Sequence, residues 1–251
     1  VFQGIIPTVE PTFSDELKTL LSWADEYATL KVMANADTPS AARKAVSYGA
    51  VGIGLCRTER MFNDVDRLPI VIEMILADTE EQRKGALDRL KEIQRQDFKE
   101  ILTAMAPRPV TVRLLDPPIH EFLPTEDVLR DELEHLRHLS ETVSGVANLF
   151  GSLRLLNADL SISSKSPAPF TLEGVELVQQ AIEKKEQMLK KVKELHEVNP
   201  MLGHRGVRLG LSFPEIYKMQ IQAILEATAY CQHVGIDVRP EIMVPQVCTV
   251  E

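Results

Sequence analysis

The sequence predicts an α/β protein with a parallel sheet, a partial (β/α)8 TIM barrel with about five of the eight strands. Three observations lead there. Short apolar runs alternate with longer segments of helical period. Several of the helical segments open on recognisable capping signals. Arginines stand late in or just after apolar runs, where a parallel barrel opens its ligand-binding face. An open, doubly wound sheet is the structural alternative.

Ser14 caps the first helix with Asp15 and Glu16 in its opening turn, and Leu17, Leu20, Leu21, Ala24 and Ala28 recur at helical spacing. Lys31 to Asn35 reads as a strand that ends in polar residues. Thr38-Pro39 then sets an N-cap with proline at the first helical position, opening a helix to about Gly49. Ala50 to Leu55 reads as a buried strand. Thr79-Glu-Glu-Gln82 is a capping box for a long helix carrying Leu87, Leu90, Phe98, Ile101, Leu102 and Met105 on one stripe. Pro109 to Leu114 is the next strand.

From about Glu126 the regular rhythm is lost. A charged segment, Asp127 to Arg137, leads into Ser140–Thr171, in which Ser161 to Pro169 reads as an exposed loop. Helix returns from Glu173 to Val198, and its Lys184–Lys191 charge run reads as a solvated face. Arg205 to Leu209 counts as the fourth strand, and Ser212-Phe-Pro-Glu215 as a capping box for a helix ending at Gly235. Pro240 to Pro245 closes the series as a short strand around Ile242.

The chain has 251 residues, 44% of them hydrophobic, and a net charge of −9, which fits one α/β domain with a sizeable core. That acidity, spread along helices, argues against general nucleic-acid binding and leaves room for a local basic pocket. No apolar run reaches the roughly 18 residues that a membrane-spanning helix needs. Cys56, Cys231 and Cys248 show no paired spacing, so the thiols are expected to be free in a reducing, intracellular compartment. Val1 to Pro7 reads as an interior segment, in which Val1-Phe-Gln-Gly4 resembles a protease recognition site and a native linker fits equally well. The chain stops at Glu251 without a closing helix, so both ends read as cut from something larger.

The informative residues are Arg57, Arg113 and Arg205. A guanidinium stays charged at any accessible pH and offers a rigid fork that fits carboxylate or phosphate. Placed at strand ends, such forks converge on a small, highly charged anion with multidentate hydrogen bonds. Glu59 and Asp116 then orient the forks or act as ligands to metal-bound water. The plainer reading is local pairing, Arg57 with Glu59 and Arg113 with Asp116, which is less expected for three arginines at matching positions.

Other motifs carry less. The glycines of Gly49-Ala-Val-Gly52-Ile-Gly54 lie within a strand and lack dinucleotide order, which points to close backbone packing. His120-Glu121 has no second histidine four residues on, and His135, His138 and His233 read as surface residues. His204 beside Arg205 has a packing or orienting role. Cys56 beside Arg57 invites a lowered thiol pKa, yet its alternation with Arg57 turns it away from the pocket.

Asn35-Ala-Asp-Thr-Pro39, Gly52 to Glu59 with Met61-Phe62, Gln94 to Phe98, Arg113 to Pro124, Asn199 to Leu209 and Pro240 to Pro245 run through nearly the whole chain. Taken together, these segments resemble the pyruvate, phosphate dikinase family. The resemblance implies the phosphoenolpyruvate/pyruvate-binding barrel of the phosphoenolpyruvate-utilising enzymes, with Arg57 and Arg113 on the phosphoryl group and Arg205 a third contact. It implies a linker from the phosphohistidine domain at residues 1–11, an incomplete barrel at 12–251, and an insertion around 140–171 like that of kinetoplastid glycosomal forms. The parent reaction interconverts ATP, pyruvate and phosphate with AMP, phosphoenolpyruvate and diphosphate through that phosphohistidine.

The family's Mg²⁺ ligands, catalytic Cys acid and phosphohistidine all lie outside this chain, so the resemblance leaves it no catalytic or metal-binding residue and predicts it inactive alone. The implied partners are phosphoenolpyruvate or pyruvate, the parent's phosphohistidine domain, and a second copy in a homodimer. The implied location is a glycosome in a kinetoplastid, and cytoplasm or plastid otherwise. Phosphoenolpyruvate synthase, enzyme I of the sugar phosphotransferase system and a non-catalytic self-associating module are the alternatives.

Overall fold

In the computed structural model, which describes residues 14–156, 172–195 and 203–249, four parallel strands form one sheet in the order β1-β2-β3-β4. These are β1 (Ala34–Asn35), β2 (Ile53–Arg57), β3 (Pro109–Arg113) and β4 (Arg239–Met243). The helices are α1 (Asp15–Tyr27), α2 (Pro39–Ser47), α3 (Glu59–Phe62), α4 (Leu68–Leu76) and α5 (Glu80–Met105). They continue with α6 (Glu126–Leu156), α7 (Leu172–Leu195), α8 (Val207–Ser212) and α9 (Pro214–His233). A 3-10 turn spans Ile119–Phe122.

Strand order equals chain order, and α5 packs against α2 on one side and α9 on the other. The three crossover helices therefore lie side by side over a single face. That is the winding of a barrel wall, and it excludes the doubly wound alternative, which puts helices on both faces. Ile53, Cys56, Val110 and Val112 are fully buried beneath these helices, together with Leu90, Phe98, Ile101, Met105, Ala223 and Ala227 from α5 and α9. Residues of opposite phase, among them Thr111 and Arg113, stand on the other face.

The expected caps at Ser14, Thr38 and Thr79 form. The Thr79 hydroxyl accepts from Gln82 N while the Gln82 side chain accepts from Thr79 N. The expected cap at Ser212 does not. Phe213 is the N-cap of α9, and the Ser212 hydroxyl lies 2.7 Å from His204 Nε2 instead.

Four further expectations change. The sheet has four described strands and not five, because residues 207–212 turn into α8; a short apolar run does not separate helix from strand by its period. The first strand shrinks to Ala34–Asn35. Helical rhythm does not fail at Glu126: α6 runs unbroken through residue 156, burying Leu129, Leu133 and Val143 at helical spacing and pairing with α7. Residues 140–156 therefore belong to a helix, and the remainder of the expected insertion, with its 161–169 loop, lies outside the described residues. The 184–191 run is only partly solvated, since Lys185 bonds Glu132 at 2.5 Å and Lys191 bonds Asp78 at 3.3 Å. Helix α4 was not expected at all. It is apolar almost all round, which erases the amphipathic period.

Gly52 packs as the sequence implied. A Cβ there would stand 2.7 Å from Met33 Cε and 2.8 Å from Pro109 O, and a carbonyl in a paired strand cannot give way as a side chain can. Gly52→Ala is expected to lower stability by about 1–3 kcal/mol through overpacking, read as a lower urea midpoint. An unchanged midpoint would contradict this account of the β1–β2–β3 contact.

Candidate functional site

The candidate site residues gather at the rim formed by the carboxyl ends of β2 and β3. Arg57 and Arg113 are Cα partners at the last register position of the β2–β3 pair. Thr58, fully buried, donates its hydroxyl to the Arg113 carbonyl at 3.0 Å and ties the two strand ends together. Beyond β3 the chain stays held. Leu114 N donates to Met243 O at 3.0 Å, Leu115 N to the Gln220 side chain at 2.8 Å, and the Tyr217 hydroxyl to Leu115 O at 2.9 Å. Burial pushes the Tyr217 phenol well above its ordinary pKa, so it donates as a neutral hydroxyl.

That anchoring sets Asp116. Its Oδ2 lies 3.0 Å from Arg113 Nη1 and 2.8 Å from Arg205 Nη2, and its side chain is 5% exposed. Glu59, at the start of α3, accepts from Arg113 Nη2. Arg205 reaches this point because Gly206 N donates to the Asp116 carbonyl at 2.9 Å and Val207 N to Pro245 O at 2.9 Å. Gly206 takes φ +60°, and a Cβ would stand 2.9 Å from Pro245 O, so the close approach depends on glycine.

The structure thus brings Arg113, Arg205, Glu59 and Asp116 into one bonded cluster. Arg57 stands beside it on different partners. Asp37 accepts from Arg57 N at 2.7 Å, from Nη2 at 3.1 Å and from Nε at 3.4 Å, and Arg60 Nε lies 3.3 Å away. The plainer alternative of local pairing holds in half: Arg113 meets Asp116, but Glu59 pairs with Arg113 and not with Arg57. Asp37 was missed as a site residue, although its place two residues beyond β1, at the same rim as Arg57, was a usable signal.

Four guanidiniums, those of Arg57, Arg60, Arg113 and Arg205, face the three carboxylates of Asp37, Glu59 and Asp116. The Nε atoms of Arg113 and Arg205 are buried without a protein acceptor, and Glu59 Oε2 and Asp116 Oδ1 are buried without a protein donor. Unsatisfied charged donors are costly unless something completes them. A tetrahedral anion with several acceptor oxygens is suited to that task.

The donor set does not fit a magnesium site. Glu59 and Asp116 each spend an oxygen on a guanidinium, and among the described residues no group of three or more His, Cys, Asp or Glu is placed to hold a metal ion. The hint of an acidified Cys56 is overturned. Burial, with Asp37 and Glu59 adding to it, pushes the thiol up to about 12, and Arg57 offsets this only weakly. His204 packs edge-on to Phe213 and bonds Ser212, which is an orienting place, while His135, His138 and His233 are exposed.

Beside Arg57 lies a cavity of about 370 Å3 that reaches Asp37, Arg60, Arg67 and Asp97. Arg67 bonds Asp97 at 2.5 and 2.9 Å and the Met61 carbonyl at 3.0 Å, bracing α3 against α5. A larger groove of about 830 Å3 runs between α6 and α7, far along the chain from the rim, and its Arg130 and Arg137 are already paired with Glu126 and Glu186.

Comparison with known proteins places the chain in a family. The family described as PEP-utilising enzyme, PEP-binding domain, matches residues 12–251. The chain is 48% identical over 251 residues to a pyruvate, phosphate dikinase of Entamoeba histolytica, covering all of this chain and 24% of that protein. It is 41% identical over 245 residues to one from Giardia intestinalis, covering 98% of this chain and 23% of that protein. Against the chloroplastic pyruvate, phosphate dikinase 1 of Arabidopsis thaliana the identity is 45% over 239 residues, covering 95% of this chain and 20% of that protein. The chain spans about a quarter of the length of these relatives. A partly wound barrel wall with an arginine-rich rim, matched over nearly its whole length, belongs to the PEP-binding domain family of the PEP-utilising enzymes.

Proposed function

We propose that the chain binds phosphoenolpyruvate or pyruvate at the β2–β3 rim, as the substrate-binding part of a pyruvate, phosphate dikinase. One observation carries this reading: Arg113 and Arg205 share Asp116 while each keeps a buried Nε without a partner, beside Arg57 on the adjoining strand. Phosphoryl transfer is mostly positioning and charge stabilisation, and pre-held guanidiniums supply both. Arg57, Arg113 and Arg205 contact the phosphoryl or carboxylate oxygens. Glu59 and Asp116 fix the forks. The relatives' name favours a dikinase over phosphoenolpyruvate synthase or enzyme I.

In that parent, pyruvate, ATP and phosphate are interconverted with phosphoenolpyruvate, AMP and diphosphate through a phosphohistidine on another domain. That histidine, the magnesium ligands and the proton donor are supplied from outside this chain, so the chain alone binds substrate without turning it over. Three free cysteines support an intracellular, reducing location.

Titration of the chain with phosphoenolpyruvate in a calorimeter tests the binding. Arg57→Ala and Arg113→Ala are each expected to weaken it at least about ten-fold, the loss of one charge-assisted contact. Unchanged affinity in both variants would sink the assignment.

A second reading, self-association, is favoured by exposed apolar side chains. Trp23 and Tyr27 on α1 are 59% and 84% exposed, α1 buries no residue, and β4 is an open edge strand with Ile242 and Met243 uncovered. Sedimentation should then rise with protein concentration. A monomer at every concentration would end this reading.

A further inference from the structure

Asp37 bonds Arg57 at three nitrogens, the backbone N–H, Nε and Nη2. It follows Ala36, whose N–H pairs with Leu55 O at 3.2 Å, and precedes Thr38, whose hydroxyl caps α2 by accepting from Ala41 N at 3.2 Å. Neighbours on both sides thus fix its backbone. Its side chain is 8% exposed. Oδ1 takes the Arg57 backbone N–H at 2.7 Å and Nε at 3.4 Å, and Oδ2 takes Nη2 at 3.1 Å. The Nε–Nη2 edge of the guanidinium is occupied, and Nη1 lies outside these bonds.

We propose that Asp37 is a positioning residue that presents Arg57, Nη1 foremost, to the anionic ligand. This rests on the reading of the rim as a phosphoenolpyruvate site. Asp37 does not touch the ligand. It stops Arg57 from folding onto other carboxylates, and it separates the charge of Arg57 from that of Arg60, which shares Oδ2 at 3.3 Å. A guanidinium held along one edge loses little freedom when the ligand takes the other end.

Charge alone argues the other way, which makes the proposal testable. A carboxylate beside an anion site repels the anion, so removing its charge should tighten binding if Asp37 only shapes the local field. Asp37→Asn keeps an oxygen for the Arg57 backbone N–H but loses the charged edge clamp. With phosphoenolpyruvate as the titrant, positioning predicts binding about ten-fold weaker in Asp37→Asn despite the gain in net positive charge. Equal or tighter binding overturns the proposal. Arg57→Ala in the same assay separates the failures. If it loses binding while Asp37→Asn does not, Asp37 alone is misread; if neither loses it, or the unaltered chain does not bind, the site reading falls and this inference with it. A readout without substitution uses the nitrogen-15 spectrum of arginine side chains. The Arg57 Nε–H should be protected from exchange before phosphoenolpyruvate is added and stay so afterwards; release on binding would overturn the proposal.

Discussion

One carboxylate oxygen, Oδ2 of Asp116, faces guanidiniums at 3.0 and 2.8 Å, and the organisation of the rim depends on it. Arg113 ends a strand, Arg205 lies in the turn before α8, and 92 positions of sequence separate them. Without a shared counter-ion two such charges repel at this distance. With it they form a unit in which both Nε donors stay unpartnered, because Asp116 and Glu59 do not reach them. The surrounding backbone serves this arrangement: Gly206 and Val207 are pinned to Asp116 O and Pro245 O, and Leu115 is pinned by Tyr217 and Gln220 of α9.

Singly wound parallel strands supply the other constraint. All strands point the same way, so every strand end reaches the same rim, and Arg57, Arg113 and the loop holding Arg205 meet without any long-range design beyond register. The helices on the opposite face bury Val110 and Val112, and alternation forces Arg113 outward. Packing and site chemistry are therefore two faces of one pattern.

Much of this is legible in the sequence. The caps at Ser14, Thr38 and Thr79 are local hydrogen-bond signals, and all three form. The long stripe from Leu87 to Met105 is unambiguous because it repeats over many turns. Short elements were less legible: residues 205–209 read as a strand, because so short an apolar run does not separate strand from helix by its period, yet the chain turns into α8 after Gly206. Helix α6 was missed: its first half read only as a charged segment, and Ser, Gly and Asn in its second half favour loops in isolation, while pairing with α7 overrides that preference. At the site, arginine type and strand-end position were readable. Partner choice was not, since Glu59 is nearer Arg57 in sequence yet the fold turns it to Arg113, leaving Arg57 to Asp37.

The central claim is that Arg113 and Arg205 act as one unit through Asp116. A double-mutant cycle on urea stability with Arg113→Met and Arg205→Met tests it most directly. Each single variant leaves Asp116 one cation, whereas the double variant strands a buried carboxylate. The account predicts that the double variant loses more than the summed singles by on the order of 1 kcal/mol or more. Additivity within about 0.3–0.5 kcal/mol would contradict it.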